Sequence, residues 1–294
     1  MIRTLLRPSS LLLACVLASG CGPAPEPEPM PTPESTAAQP LRWPKWIRVI
    51  GADIVGAVEG AQTGGAIGAV FGPEGAVIGT VAGAVIYGTQ ASVEAASATT
   101  TTQGVSAGSR ASSDPSNALN PFDHIGRHHN VELDNSVSII GPGGCIPNPF
   151  PFPFPRDRTQ GPLWDYAAKA LNTPQEFLAL PEFKEGWYDS LDFVASTANE
   201  DIETSIKKRV ESGKMTAAVG QRLTRYFTTV APLDTDKLIA ATKSFEKETL
   251  ADKTLTEQDR STLLSGYSVA RYSAAYWADQ AARTTASPWC GCSK

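Results

Sequence analysis

Chemistry in this chain could begin at its three histidines, His124, His128 and His129, which stand among Asp123, Glu132 and Asp134. Imidazole and carboxylate are zinc ligands, and the four-residue step from His124 to His128 suits one helix face. The pattern lacks the HExxH arrangement, and Gly126 between the two weakens any helix that carries them. A solvated or capping cluster is therefore expected ahead of a metal site. A metal-dependent enzyme using His124, His128 or His129 is the third functional reading. No histidine follows residue 129, and the chain has neither G-x-S-x-G nor a Walker loop. No catalytic residue is assigned, and no cofactor is expected.

Thiols are the other reactive groups. Ahead of Cys21, Arg3 and Arg7 give a positive start, and Leu11 to Leu17 give an apolar stretch too short to persist as a bilayer span. Ala18, Ser19 and Gly20 complete what reads as a signal peptide over residues 1–20. Leu17-Ala18-Ser19-Gly20-Cys21 resembles the lipobox of bacterial lipoproteins. The resemblance implies a diacylglyceryl group on the Cys21 thiol, cleavage before it, and acylation of the new amino group. Cys15, after Leu12-Leu13-Ala14, fits the same local pattern but ranks second, because Pro8, Ser9 and Ser10 interrupt its apolar stretch. Two or three acyl chains hold a soluble body to a bilayer far more firmly than one. Residues 21–42 follow as a Pro/Glu-rich tether, extended and solvated. Gly22 stands where the enteric sorting system uses an aspartate for inner-membrane retention, which leans an exported chain towards the outer membrane.

The elements that must position these groups begin with a glycine series. Gly56, Gly60, Gly64, Gly68 and Gly72 recur every four residues, and Gly75, Gly79 and Gly83 resume after Pro73-Glu74. Residues four apart share one helix face, so each series makes a bare strip on which a second backbone can lie. A helical hairpin is expected over 43–97, with arms at 46–71 and 74–97 and a turn at Gly72-Pro73. It resembles the glycine-zipper segments of bacterial outer-membrane lipoproteins and, more loosely, the tandem GxxxG helices of two-peptide bacteriocins. The partners expected are therefore the lipid bilayer, through acylated Cys21 and the 43–97 hairpin, and a second copy through the zipper. Arg48, Asp53, Glu59 and Gln62 oppose deep insertion, while Trp43 and Trp46 suit an interface, so embedding and a soluble hairpin both stay open.

Residues 98–118 read as a Ser/Thr-rich linker and 119–160 as an irregular His- and Pro-rich segment. Within it, Asn120, Pro121, Phe122, Asp123, Ile125, Gly126, His129, Asn130, Leu133 and Asp134 form a frame, NP[FY]DxxGxxHNxxLD. The frame resembles a stretch in uncharacterised exported bacterial proteins whose C-terminal part is helical, and it implies no activity. His124 and His128 fall outside it. The run GPGGCIPNPFPFPFP over 141–155 reads as a polyproline II strap.

From 161 to 294 the apolar spacing is helical: Ile202, Ile206 and Val210 up to Gly213; Val219, Leu223, Phe227 and Val230; Leu238, Thr242, Phe245 and Thr249. Thr256 with Asp259 then starts a long helix through Leu263, Tyr267, Ala270, Ala274 and Trp277. Acidic pairs such as Glu246/Glu248 read as solvated faces. The expected fold is mainly α: a glycine-zipper hairpin, a linker and a C-terminal helical bundle.

Net charge is −5, or −7 once Arg3 and Arg7 leave with the leader, and no basic patch is present, so nucleic acid is not an expected partner. The leading function is a membrane-anchored lipoprotein of structural or interaction type. The second is a membrane-active, bacteriocin-like or toxin-like factor acting through the hairpin.

An oxidising compartment leaves Cys145, Cys290 and Cys292 to share one disulfide. Peptide mapping without reductant should find Cys145 joined to Cys290 or Cys292; three free thiols would remove this expectation.

Overall fold

Apolar residues surround the helix axis between Val49 and Ala61, and a helix of that kind has no side to offer water. In the computed structural model, which describes residues 45–98, 111–140, 156–197 and 200–286, this stretch lies in α1 (Lys45–Gly68). Val49, Ile50, Ile54, Val55, Ala57, Val58 and Ala61 are all buried. A short 3-10 turn, Ala69–Phe71, leads into α2 (Gly72–Ala98). The fold of the described residues is mainly α. The expected sites Cys21, Cys145, Cys290 and Cys292 lie outside them.

The two arms meet backbone to backbone. Gly60 faces the carbonyl of Gly83, Gly64 that of Gly79 and Gly68 that of Gly75, and each contact is reciprocal. A Cβ at any of these glycines would fall inside the 3.0 Å that real Cβ atoms respect. The pairing descends in α2 as it ascends in α1, so the arms run antiparallel. Gly56 continues the strip, but it meets Ala91 and the Tyr87 carbonyl, not a glycine. Gly72 does not belong to the packing surface: its φ is +90° and nothing lies within 4 Å of a Cβ placed there. It is the turn residue, in a conformation that favours glycine.

The other helices close around this pair. They are α3 (Asp123–Ile140), α4 (Arg156–Ala170), α5 (Gln175–Leu178), α6 (Pro181–Thr197), α7 (Ile202–Glu211), α8 (Ala217–Val230), α9 (Thr235–Ala251) and α10 (Glu257–Ala286). Ile50, Ile54, Val55 and Val58 of α1 share one core with Ile206, Leu223, Phe227, Leu238, Leu263 and Tyr267. Ala82, Ile86 and Tyr87 of α2 join a second core with Leu163, Phe183 and Trp187. The hairpin is thus the centre of the C-terminal bundle, whereas the sequence suggested a separate module. Part of the expected linker is docked as well: Ser112 and Ser113 donate to Asp236, and Lys243 donates to the Asp114 carbonyl.

Two expectations are corrected here. The segment 119–160 is not irregular throughout, because α3 takes up 123–140 and α4 begins at Arg156. Gly126 does weaken α3 intrinsically, but it also lets the helix lie against the Ser268 carbonyl of α10, and its N–H donates to Ser268 Oγ. Glu246 is no solvated residue; it is fully buried. The C-terminal faces otherwise lie as expected: Ile206, Val219, Leu223, Phe227, Val230, Leu238, Thr242, Phe245, Thr249, Leu263, Tyr267, Ala270 and Ala274 are buried. Gly213 follows α7 at φ +70°, and the Asp259 N–H donates to Thr256 Oγ1 at the start of α10.

The strip generates a test with opposite signs. Gly51 in α1 has room for a Cβ at ordinary contact distance, 3.7 Å from Ile202 and 3.8 Å from Phe227, so Gly51→Ala should follow helix propensity and stabilise by up to about 1 kcal/mol. Gly79→Ala should destabilise by roughly 1–3 kcal/mol, because its Cβ meets the Gly64 backbone. Thermal melts of both variants decide the matter, and a stabilised Gly79→Ala would reduce the strip to composition.

Candidate functional site

The groups able to do chemistry are buried charges where α1 and α10 meet their neighbours. Asp53 of α1 is completely buried, and Ser273 of α10 donates to its Oδ2. Burial outweighs the hydrogen bond from Ser273 and pushes its carboxyl up to about 7. Two turns on, Glu59 accepts two hydrogen bonds from the Arg209 guanidinium of α7, which also reaches Asp189 at 3.1 Å. Burial pushes Glu59 upward and Arg209 holds it back. Arg209 stacks over the Phe193 ring at 4.3 Å. A cavity of about 290 Å³ opens beside this pair, lined by Glu182, Glu185, Asp189 and Lys214 as well as Glu59 and Arg209. Its guanidinium is taken up by Glu59 and Asp189, and Lys214 lies 3.6 Å from Asp189, so the cavity is the wet flank of an ion-pair network.

A second network centres on Arg271, fully buried in α10. Its Nη2 donates to Asp123 at 2.7 Å and to Glu246 at 2.9 Å. Asn120 adds a 2.6 Å bond to Glu246 and one of 2.9 Å to the Leu264 carbonyl, and Asn117 donates to the other Glu246 oxygen. The sequence frame that starts at Asn120 now has a physical meaning. Asp123 binds Arg271 and Tyr272, Gly126 admits the α10 backbone, and Asn130 donates to the Tyr272 carbonyl. Leu133 is buried and Asp134 accepts from Tyr276. Asn120, Asp123, Gly126, Asn130 and Asp134 of the frame dock α3 and its approach on α10.

The histidines do not converge. His128 Nδ1 lies 2.8 Å from the Tyr166 hydroxyl of α4, and His124 meets His128 edge-on with centroids 6.2 Å apart. His129 is buried on the α2 side against Gly88, and burial drops its imidazole to about 4. Among the described residues no group of three His, Cys, Asp or Glu side chains is placed to hold a metal ion. The metal reading of His124, His128 and His129 therefore has no geometry behind it. Glu132, one turn beyond His128, is also buried, which pushes it up to about 7 against one hydrogen bond from Asn135.

Sequence reasoning weighed Asp53 and Glu59 only as costs of membrane insertion. A carboxylate inside an apolar helical run also signals a buried partner, but the partner itself, a serine 220 residues away or an arginine 150 away, has no local trace.

These burials fix a pH dependence. Asp53 rises from 3.8 to about 7 on folding, so the folded state holds its proton more tightly than the unfolded chain. The stability this contributes is complete below pH 3.8 and is lost as pH climbs to 7; Glu132 acts in the same direction. His129, lowered from 6.5 to about 4, contributes stability above 6.5 that is lost as pH falls to 4. Asp53→Asn isolates the first effect. Relative to wild type it should gain stability from pH 4 to 7, by up to about 1.4 kcal/mol per pH unit. Denaturant titrations across that range check it, and a pH-independent difference would mean Asp53 is ionised in the fold. Comparison of the chain with protein-family models, with curated proteins and with solved structures found no match, so function rests on its own geometry.

Proposed function

We propose that the chain is a membrane-anchored exported lipoprotein of structural or interaction type, held by acyl chains on Cys21 and directed more to the outer than to the inner membrane. The observation that supports the reading is where the buried charge goes. Arg209 engages carboxylates of α1 and α6, and Arg271 engages Asp123 of α3 and Glu246 of α9. Each guanidinium clamps helices together, and Arg209, which lines the cavity beside Glu59, is already engaged by Glu59 and Asp189. Polar chemistry here serves a rigid body, which a tether over 21–42 would join to the acyl anchor.

The alternative, a membrane-active factor using the hairpin, has one observation in its favour. The stretch Arg48–Ala96 is apolar enough to cross a bilayer by length and composition, with a mean hydropathy of 1.6 in its best window. Nearly half of that window is buried in the fold, and insertion would strip Asp53 and Glu59 of Ser273 and Arg209. The cost of bare carboxylates in lipid favours the tethered body.

Palmitate labelling of cells expressing the chain tests the anchor. Wild type should take up label and sediment with membranes, and Cys21→Ser should lose both. Continued labelling of Cys21→Ser would move the modification elsewhere, with Cys15 next in line. Dye release from intact vesicles by the purified protein would favour the membrane-active alternative.

A further inference from the structure

The hairpin is buried along most of its length but leaves the bundle at its turn. Gly64 and Gly65 are still buried, as are Gly79 and Thr80. Between them Ala66, Ala69, Val70, Phe71, Pro73, Glu74 and Val77 are exposed, with Val70 at 83%, Phe71 at 59% and Val77 at 53%. Large apolar side chains that far into water are unusual when they cluster at one turn. Elsewhere among the described residues the exposed large apolar side chains are scattered, Leu119 in the turn before α3, Val131 on α3 and Leu250 on α9.

We propose that this tip is a second membrane contact, which dips into the interfacial layer of the bilayer to which the chain is tethered. The inference rests on the membrane-anchored reading above and adds the place where the body touches lipid. Three observations favour a lipid surface over a protein groove or a second copy. First, the tip is small, two helix ends joined by the three-residue Ala69–Phe71 turn with none of it buried, whereas a stable protein interface takes roughly 20–30 residues a side. Second, its depth fits. From Gly65 to Gly72 the projection is about 10 Å at 1.5 Å per residue, the depth of interfacial embedding and far short of the ~30 Å hydrocarbon core. Third, the tether reaches. From Cys21 to the start of α1 at Lys45 the chain can span up to about 80 Å, while α1 is about 36 Å long, so anchor and tip can share one membrane.

Charge says which lipid. Glu74 is the one charged residue between Glu59 and Glu94, and it lies in the first turn of α2, where the helix dipole favours a carboxylate. No lysine or arginine stands near the tip in sequence to seek anionic headgroups. Attraction should therefore come from Val70, Phe71 and Val77 and should be indifferent to salt and to anionic lipid.

Vesicle flotation with the chain from residue 21 onward, carrying Cys21→Ser so that no acyl anchor contributes, tests the proposal. The parent should float with phosphatidylcholine vesicles, equally well in low and high salt. The double variant Val70→Asp/Phe71→Asp should lower the partition coefficient at least tenfold, and Val77→Asp should lower it measurably. Leu119→Asp, at an exposed apolar site elsewhere, should leave it within twofold. All these positions are exposed, so circular dichroism melts should stay unchanged, which separates lost binding from lost folding. The proposal is overturned if the parent does not float, if the double variant floats as well as the parent, or if binding requires anionic lipid. It is also overturned if sedimentation shows that the tip substitutions break a dimer while flotation is unaffected. The assay contains no acyl chain, so its failure leaves the palmitate result standing, and loss of palmitate labelling leaves the vesicle result standing.

Discussion

Three pairs of glycines, facing each other across two antiparallel helices, set the spacing on which the molecule depends. Side chains ordinarily hold helix axes 8–10 Å apart, and removing them on both sides allows backbone to rest on backbone. The six glycines involved cost about 6 kcal/mol in helix propensity, so the hairpin cannot be a free-standing helix pair by local preference. It is stable because other helices cover it. α10 brings Gly266 down on Val58, and α6 brings Gly186 down on Thr63 and Tyr87. Close approach thus recurs where α10 and α6 meet the hairpin, and α3 repeats it on α10 through Gly126.

Charge is arranged around that spacing. The thin, apolar hairpin has few side chains with which to hold neighbours, and its buried carboxylates supply directional contacts where packing alone is smooth. Glu59 fixes α7 through Arg209, Asp53 fixes α10 through Ser273, and Arg271 joins α10 to α3 and α9. Removing one partner of an ion pair such as Glu59 with Arg209 strands a charge in the core, so those residues are costly to change.

Much of the helical layout was legible in the sequence, because apolar spacing and caps are local signals. Thr256 with Asp259 and Gly213 marked helix ends where they are found, and the buried faces of α8 and α9 follow the four-and-three spacing. What escaped was set by tertiary contact. α3 carries a weak helical signal, since Gly126 and the polar residues around it oppose a helix until Ser268 and Arg271 are in place. Gly72 fitted both the four-residue series and the expected turn, and its positive φ with open space around it shows that it turns the chain and takes no part in the strip. Glu246 looked solvated because its neighbours in sequence are polar, while its partners come from Asn117, Asn120 and Arg271.

The four-residue repeat also makes the hairpin degenerate. Sliding α2 by four residues, about 6 Å, would set Gly56 against Gly83, Gly60 against Gly79 and Gly64 against Gly75: three glycine pairs again. The glycines therefore fix how near the arms lie but not which register they take. Register must be read from contacts that do not repeat. Asp53 and Glu59 tie one arm to α10 and α7, while the Tyr87 hydroxyl, donating to the Phe183 carbonyl, ties the other to α6. In this molecule a few polar side chains act as the index marks on a sliding scale whose graduations are all alike.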